Sequence, residues 1–343
     1  MDAIDRRLFL AGTGALIAGV ALPGGAEAQV NDPRPPTVDT GNVREIAAGV
    51  FVIGDRRVWL VPNIGIVLGK EAALVIDCGL GPANGEAVFA AARRIAGPGR
   101  KLILTVTHFH PEHGYGAQAF ARDATILYNR AQRDELAEKG ERYLGLFRDT
   151  QGPNAVAALA GTRIVMPDRV YGGASTRIDL GGRVVELRAH GLAHTRGDQS
   201  AYLPRERILF TGDLIEERMF PIFPYFPPAD VELGGVRWAR VLRGFAAARP
   251  GIIVPGHGDP GGASIAGDLA RYMETTHARV ATLRAAGVSP DRIIAACKPE
   301  LIAAHPSWDH PQLIDLQLRY EASLRSSRTA SPTRDTPPRN TSA

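Results

Sequence analysis

The chain holds two cysteines in 343 residues, Cys78 and Cys297, far apart and in no Cys-x-x-Cys or zinc-ribbon spacing. That excludes a disulfide-stapled scaffold and a cysteine-ligated structural zinc site. Two buried thiols are the expectation, with a disulfide between them as the alternative. There is no Gly-x-Ser-x-Gly elbow, which removes the usual serine-hydrolase arrangement. No repeat recurs at solenoid periods, and no apolar run reaches the ~20 residues a membrane span needs. Net charge is small as well: of the formal +4, most sits in residues 325–343, where Arg325, Arg328, Arg334 and Arg339 face only Asp335. The body is close to neutral, so neither nucleic acid nor an anionic membrane is called for as a partner, and no stable membrane anchor is expected.

Both ends of the chain differ from its middle. Asp5-Arg6-Arg7-Leu8-Phe9-Leu10, a glycine-interrupted apolar stretch over 8–22 and an Ala26-Glu27-Ala28 cleavage pattern resemble a bacterial twin-arginine signal. The expectation is a signal peptide over 1–28 and a periodic α/β body over 29–262, in a periplasmic or secreted product. Residues 325–343 are Ser, Thr, Pro and Arg with almost no apolar side chain, the composition of a disordered tail. Between them, short β-runs at 50–53, 58–61, 65–68 and 73–76 are broken by Gly54-Asp55 and Gly69-Lys70. Helices are predicted over 84–95, 131–147 and 238–248, and strands over 101–107, 124–128, 177–180, 184–189, 200–203, 208–210 and 252–254. Sheets with helices covering their outer faces give a layered α/β body. Helices predicted at 265–286, 290–296 and 312–324 make a helical extension, 263–324, packed on it.

What the chain does have is a concentration of metal-binding side chains. Thr107-His108-Phe109-His110-Pro111-Glu112-His113-Gly114 follows the apolar run Leu102-Ile103-Leu104-Thr105-Val106 and gathers three of the nine histidines with a glutamate. A strand that ends in His-x-His projects both imidazoles from the sheet edge, and the loop after it folds a carboxylate and a third imidazole toward the same point. Three later strand ends carry His194, in Ala193-His194-Thr195-Arg196-Gly197-Asp198, Asp213, in Thr211-Gly212-Asp213, and His257, in Pro255-Gly256-His257-Gly258. Asp77 closes a strand of its own. Ligands of α/β sheets collect outside strand ends, where loops converge.

Together these residues resemble the metallo-β-lactamase fold superfamily, whose hallmark is His-x-His-x-Asp-His followed by a His, an Asp and a His. The resemblance runs from about residue 43 to 262. It implies a four-layer αββα sandwich, here with a C-terminal helical extension. It implies that His108, His110 and His194 hold one metal and that Glu112, His113 and His257 hold a second, with Asp213 between them. Two zinc ions are the implied cofactor, iron or manganese the alternatives. Water shared by two dications loses a proton near neutral pH instead of at ~15.7, so Glu112 and Asp213 become the catalytic carboxylates and no serine or cysteine nucleophile is needed. This sequence departs from the hallmark at Glu112, where Asp is usual. The extra methylene moves the carboxylate outward, and a weaker second site is the expectation.

Asp77 and Asp198 are expected to orient ligands or loops by hydrogen bonding, with capping or turn formation as the competing role. The turn at 55–59, with Trp59, and the stiff aromatic and proline segment 219–227, with Phe223 and Tyr225, are expected to contact a small-molecule substrate, with Arg196 at the mouth. His190, His277, His305 and His310 are read as structural or surface residues. The implied activity is metal-dependent hydrolysis of a carbonyl-type substrate: a lactam, lactone, ester or thioester. Two other classes use the same residues. One is a mononuclear iron oxidoreductase of the persulfide dioxygenase type, on His108, His194 and Asp213. The other is a non-catalytic periplasmic metal-binding protein.

Overall fold

Period-two alternation sorts the apolar residues of each strand onto two faces, and both faces are used. The computed structural model describes residues 32–324; the expected signal segment and the expected tail lie outside them. A seven-stranded sheet runs in sequence order through β1 (Val43–Ala47), β2 (Val50–Ile53), β3 (Ile64–Leu68), β4 (Ala72–Ile76), β5 (Lys101–Thr105), β6 (Ala124–Asn129) and β7 (Arg169–Tyr171). Its first four strands are an antiparallel meander and its last four are parallel. The second sheet contains β8 (Ser175–Asp179), β9 (Val184–Ala189), β10 (Gln199–Leu203), β11 (Ile208–Phe210) and β12 (Ile252–Val254), in the order β12-β11-β10-β9-β8. Only its β11/β12 pair is parallel.

The helices complete the layers. They are α1 (Gly81–Ala96), α2 (Pro111–Gly114), α3 (Arg130–Thr150), α4 (Gly152–Ala158), α5 (Gly235–Ala248), α6 (Ser264–Ala285), α7 (Pro290–Ala304) and α8 (Ile314–Ser323). Val50, Val52, Leu74 and Ile76 turn inward to meet Val185, Leu187, Ile208 and Phe210 between the sheets. Ile64, Ile66, Ala73 and Val75 turn the other way, onto Val88 of α1 and Leu136 and Leu144 of α3. From the second sheet, Leu209 and Ile253 face outward to Trp238 of α5, Leu269 of α6, Ile293 of α7 and Leu318 of α8. The result is helix, sheet, sheet, helix, with the C-terminal helices sharing the outer core of the second sheet. The sheets meet closely at Gly65, where a Cβ would come 2.6 Å from the Phe210 ring.

Two predicted elements differ. The run 58–61 is not a strand: Arg56, Arg57 and Leu60 have positive φ, and the segment is a folded loop. Its apolar residues serve burial rather than pairing, since Leu60 and Val61 enter the core and Val58 and Trp59 pack against it. Helix α7 continues past residue 296 to Ala304, with Pro299 inside it. Proline costs a helix one donor, but Ile293 and Cys297 are buried on one face and Leu301 packs on the same core, which carries the helix through Pro299. Helix α4 and strand β7 were not legible as elements.

Both cysteines are buried free thiols. Among the described residues no helix is long and apolar enough to cross a membrane. The loop between α7 and α8 is pinned to the body: Asp309 exchanges main-chain bonds with Arg218 and Phe220, at 2.9 and 3.1 Å. Arg57 adds ion pairs to Glu217 (2.6 Å), Asp309 (2.8 Å) and Asp259 (3.2 Å).

Candidate metal centre

The parallel strand β5 delivers the chain to Thr107 and His108, and His110 caps the short helix α2 in an extended conformation. Pro111 occupies its first position, where the missing N–H costs nothing. That single turn carries Glu112 and His113 back over the end of the sheet. His194 comes from the loop before β10, Asp213 from the 3-10 turn after β11, and His257 from the loop after β12.

Ligand atoms of His108, His110, His194 and Asp213 lie within 4.8 Å of one another, as do those of Glu112, His113, Asp213 and His257, and all are buried. Asp213 faces both groups. Its Oδ2 is 3.8 Å from His108 Nε2 and 3.9 Å from His194 Nε2; its Oδ1 is 3.1 Å from His113 Nε2 and 3.7 Å from His257 Nε2. His194 Nε2 and His110 Nδ1 are 3.1 Å apart.

Apart from contacts among themselves, such as His194 Nε2 to His110 Nδ1, most of these donor atoms have no hydrogen-bond partner. Nε2 of His108, His113 and His257, Oε2 of Glu112 and both oxygens of Asp213 are buried without a well-formed hydrogen bond. Each such group costs ~1–3 kcal/mol when left unpaired, so a fold that aims six of them at one place is built around something that takes their lone pairs. Imidazole and carboxylate donors with no thiolate suit a pair of divalent cations of the zinc, iron or manganese kind.

The surroundings hold these lone pairs in position. Nδ1 of His113 is 2.9 Å from Asp77 Oδ2, and the same carboxylate accepts from the Thr107 N–H (2.7 Å) and hydroxyl (3.0 Å). Nδ1 of His194 donates to the Ile222 carbonyl at 3.0 Å. In each ring the nitrogen left over points at the centre, the usual arrangement for a ligand histidine. Gly256 permits the closest approach, because a Cβ there would lie 2.0 Å from Asp213 Oδ1.

Electrostatics match the donor roles. Burial, with neighbouring imidazoles, holds His108 and His110 well below the ordinary histidine range and lowers His194 to about 4. Burial also raises Glu112 to about 7, opposed by His113 and reinforced by Asp213. Burial works against charge on both His113 and Asp213, but their mutual attraction prevails, with Asp77 adding on one side and His257 on the other. His113 is therefore held well above its usual range and Asp213 well below.

The Asp198 side chain bonds within its own loop. It accepts from Thr195 N (2.9 Å) and Oγ1 (2.6 Å) and so shapes the His194 loop without touching an imidazole through its side chain. Arg196 is half-buried and committed to carboxylates, pairing with Glu138, with Glu232 at 3.4 Å and with Glu135 at 3.6 Å. Trp59 donates to Gln151 (2.9 Å) and its ring lies 5.0 Å from that of His310. Tyr225 is half-buried beside Tyr320. Phe223, expected to line a pocket, is instead wholly buried between Trp238 and Tyr320, because the segment turns this ring into the apolar core below it. His190 is satisfied by Ser200 at 2.8 Å.

Two buried neighbours of the centre were missed. Glu216 is buried beside the centre, and burial with the Asp213 charge pushes its carboxyl well above the usual range. In sequence it is half of a Glu-Glu pair that reads as surface. Tyr143 stacks on His110, with ring centres 5.2 Å apart, and donates to Asp230 at 2.6 Å. On α3 it was indistinguishable from an ordinary core aromatic. His310, read as structural or surface, has a left-handed backbone and packs its ring against Trp59.

A two-sheet sandwich with histidine and aspartate ligands at its strand ends defines a metallo-hydrolase type of scaffold. The family described as the metallo-beta-lactamase superfamily matches residues 57–257. The chain belongs to that superfamily. Among solved structures it is similar to a metallo-beta-lactamase from Pontibacter korlensis, at 21% identity and TM-score 0.54, covering 68% of this chain and 98% of that one. It is also similar to the DIM-1 metallo-beta-lactamase, at 18% identity and TM-score 0.52, covering 71% and 99%. A third likeness is to the inverting sec-alkylsulfatase Pisa1 from a Pseudomonas species, at 14% identity and TM-score 0.62, covering 82% of this chain and 50% of that one. At these identities the likeness is one of fold. No curated protein matches the sequence.

Proposed function

We propose that the protein is a two-metal hydrolase acting on a carbonyl-type small molecule: a lactam, lactone, ester or thioester. The observation that carries this is Asp213, which presents one oxygen to each of two buried ligand groups. His108, His110 and His194 would hold one divalent ion, Glu112, His113 and His257 the other, with zinc as the first choice and iron or manganese as alternatives. Such a pair would supply an acidified water and polarise the oxygen of the scissile group.

The chain's own residues do the rest. Asp77 fixes the His113 ring through Nδ1. Without metal, burial raises the Glu112 carboxyl to about 7, so Oε2 must give up its proton close to neutral pH before this side chain can bind an ion. Trp59 and Tyr225 offer apolar surface at the mouth, Phe223 supports that wall from beneath, and Arg196 narrows the entrance from its carboxylate cluster. Three donor residues on each side of Asp213, four in each group when it is included, support two ions over a single-iron oxidoreductase site. The N-terminal sequence supports a twin-arginine-exported protein that works in the periplasm or outside the cell, with residues 29–262 as catalytic body and 263–324 as its helical cover.

The test is metal analysis of the purified protein together with turnover of a chromogenic cephalosporin, a lactone and a thioester. A secondary alkyl sulfate belongs in the same panel, given the sulfatase likeness. His110→Ala is expected to abolish turnover. Activity retained in that variant, or bound metal with no metal-dependent turnover of any substrate, would overturn the reading.

A further inference from the structure

The segment that follows Asp213 contacts the centre a second time. After the 3-10 turn Gly212–Leu214 it runs beside the His257 loop, with a backbone bridge between Glu216 and His257 and a Glu217 N–H to His257 carbonyl bond of 2.8 Å, before entering the aromatic and proline segment. Glu216 is 1% exposed and belongs to neither ligand group. Metal coordination therefore does not account for burying its carboxyl group, which is costly unless a partner compensates.

The partner is the next segment's backbone. Both Glu216 oxygens accept from the Ile222 N–H, at 3.1 and 3.2 Å. The carbonyl of the same Ile222 accepts from His194 Nδ1 at 3.0 Å. Pro221 has no N–H and the Phe220 N–H is taken by Asp309, so Ile222 is the donor through which the buried carboxyl can hold this stretch. One residue's two backbone groups thus join Glu216 to an imidazole of the first ligand group. The far end of the segment is fastened to the same group from behind: Asp230 accepts from Lys139 (3.0 Å) and Tyr143 (2.6 Å), and Tyr143 stacks on His110.

We infer that Glu216 is a positioning residue for the first metal site: through Ile222 it sets the ring orientation and tautomer of His194 and ties segment 219–230 to that site. The inference rests on the metal-binding half of the proposed function. Removing the carboxyl frees the Ile222 N–H and lets its carbonyl turn away from His194, so first-site affinity and the mobility of the segment change together.

Cobalt(II) is the probe, added to the full chain carrying His257→Ala so that the first site is read. Glu216→Leu is expected to weaken cobalt binding by about 10- to 100-fold, the usual effect of losing a ligand's supporting partner. It should also shift the visible cobalt spectrum and speed amide exchange over 219–230. Glu216→Gln retains an acceptor for Ile222 and is expected to keep affinity, spectrum and exchange near the parent's. Should the leucine variant match the parent in affinity and spectrum, or the glutamine variant lose both, the inference is wrong. A parent that takes up no cobalt would overturn the metal-site reading as well, which separates the two failures.

Discussion

Nδ1 of His113 and Oδ2 of Asp77 lie 2.9 Å apart, and Asp77 reaches that position from a left-handed backbone, φ 66°, at the end of β4. Its other contacts, to Thr107 N–H and hydroxyl, lock the ends of β4 and β5 together immediately before His108. A non-glycine residue in that conformation is held there by its surroundings, and here they are a ligand imidazole and the strand that carries the ligand motif.

Asp77→Ala is therefore expected to act twice. It frees the His113 ring, which should weaken metal binding at the second group about 10- to 100-fold. It also leaves the buried Thr107 N–H unpaired, at a cost of ~1–3 kcal/mol in the stability of the metal-free protein. Competition with a chelator reads the first effect and denaturant unfolding of the metal-free protein the second. Unchanged affinity would show that Asp77 serves the strands alone.

The clustered donor side chains were readable in the sequence because each sits at the end of an apolar run, and the histidine hexapeptide is too dense to come from composition. Strands β2, β3 and β4 were readable for a related reason: both faces are buried, so they appear as unbroken apolar runs bounded by glycine turns. The same signal misled at 58–61, where burial without pairing looks identical along the chain. Asp77 could be placed near the centre, but its division of labour with Asp198 could not, since one grips an imidazole and the other a turn. Glu216 and Tyr143 were invisible because their partners, a backbone N–H and the face of a ligand ring, leave no residue pattern. Arg196 was placed at the mouth from sequence, and its pairing with Glu135 and Glu138 of α3 was not legible because that helix is brought beside it only by the fold.

Gly256 offers a test of how tightly Asp213 is seated. Its N–H bonds the carbonyls of Gly212 and Ile215, both at 2.9 Å, and any Cβ would overlap Asp213 Oδ1. Backbone on one side and a ligand carboxylate on the other leave little room to yield. Gly256→Ala should displace Asp213 and weaken both ions at once, whereas His257→Ala should weaken one. Metal content after gel filtration separates them: loss of a single ion in Gly256→Ala would mean that Asp213 does not bridge.

Glu112 gives the two groups different responses to acid. A carboxyl raised to about 7 carries a proton below that pH, and His113 is held protonated above its usual range. Metal binding must displace both protons. His108, His110 and His194 are shifted the other way, His194 to about 4, so protons do not compete at the first group until the solution is far more acidic. The expected sequence is two ions per chain at about pH 8 and one at about pH 6, the second group emptying as pH falls through the Glu112 value. Glu112→Asp draws the carboxylate back by one methylene, restoring the residue of the family hallmark, and should hold the second ion more tightly and to lower pH. Metal stoichiometry across the pH series, in parent and variant, checks both. Simultaneous loss of the two ions would contradict the difference between the groups, and identical curves for the two proteins would show that the longer side chain does not weaken the second site.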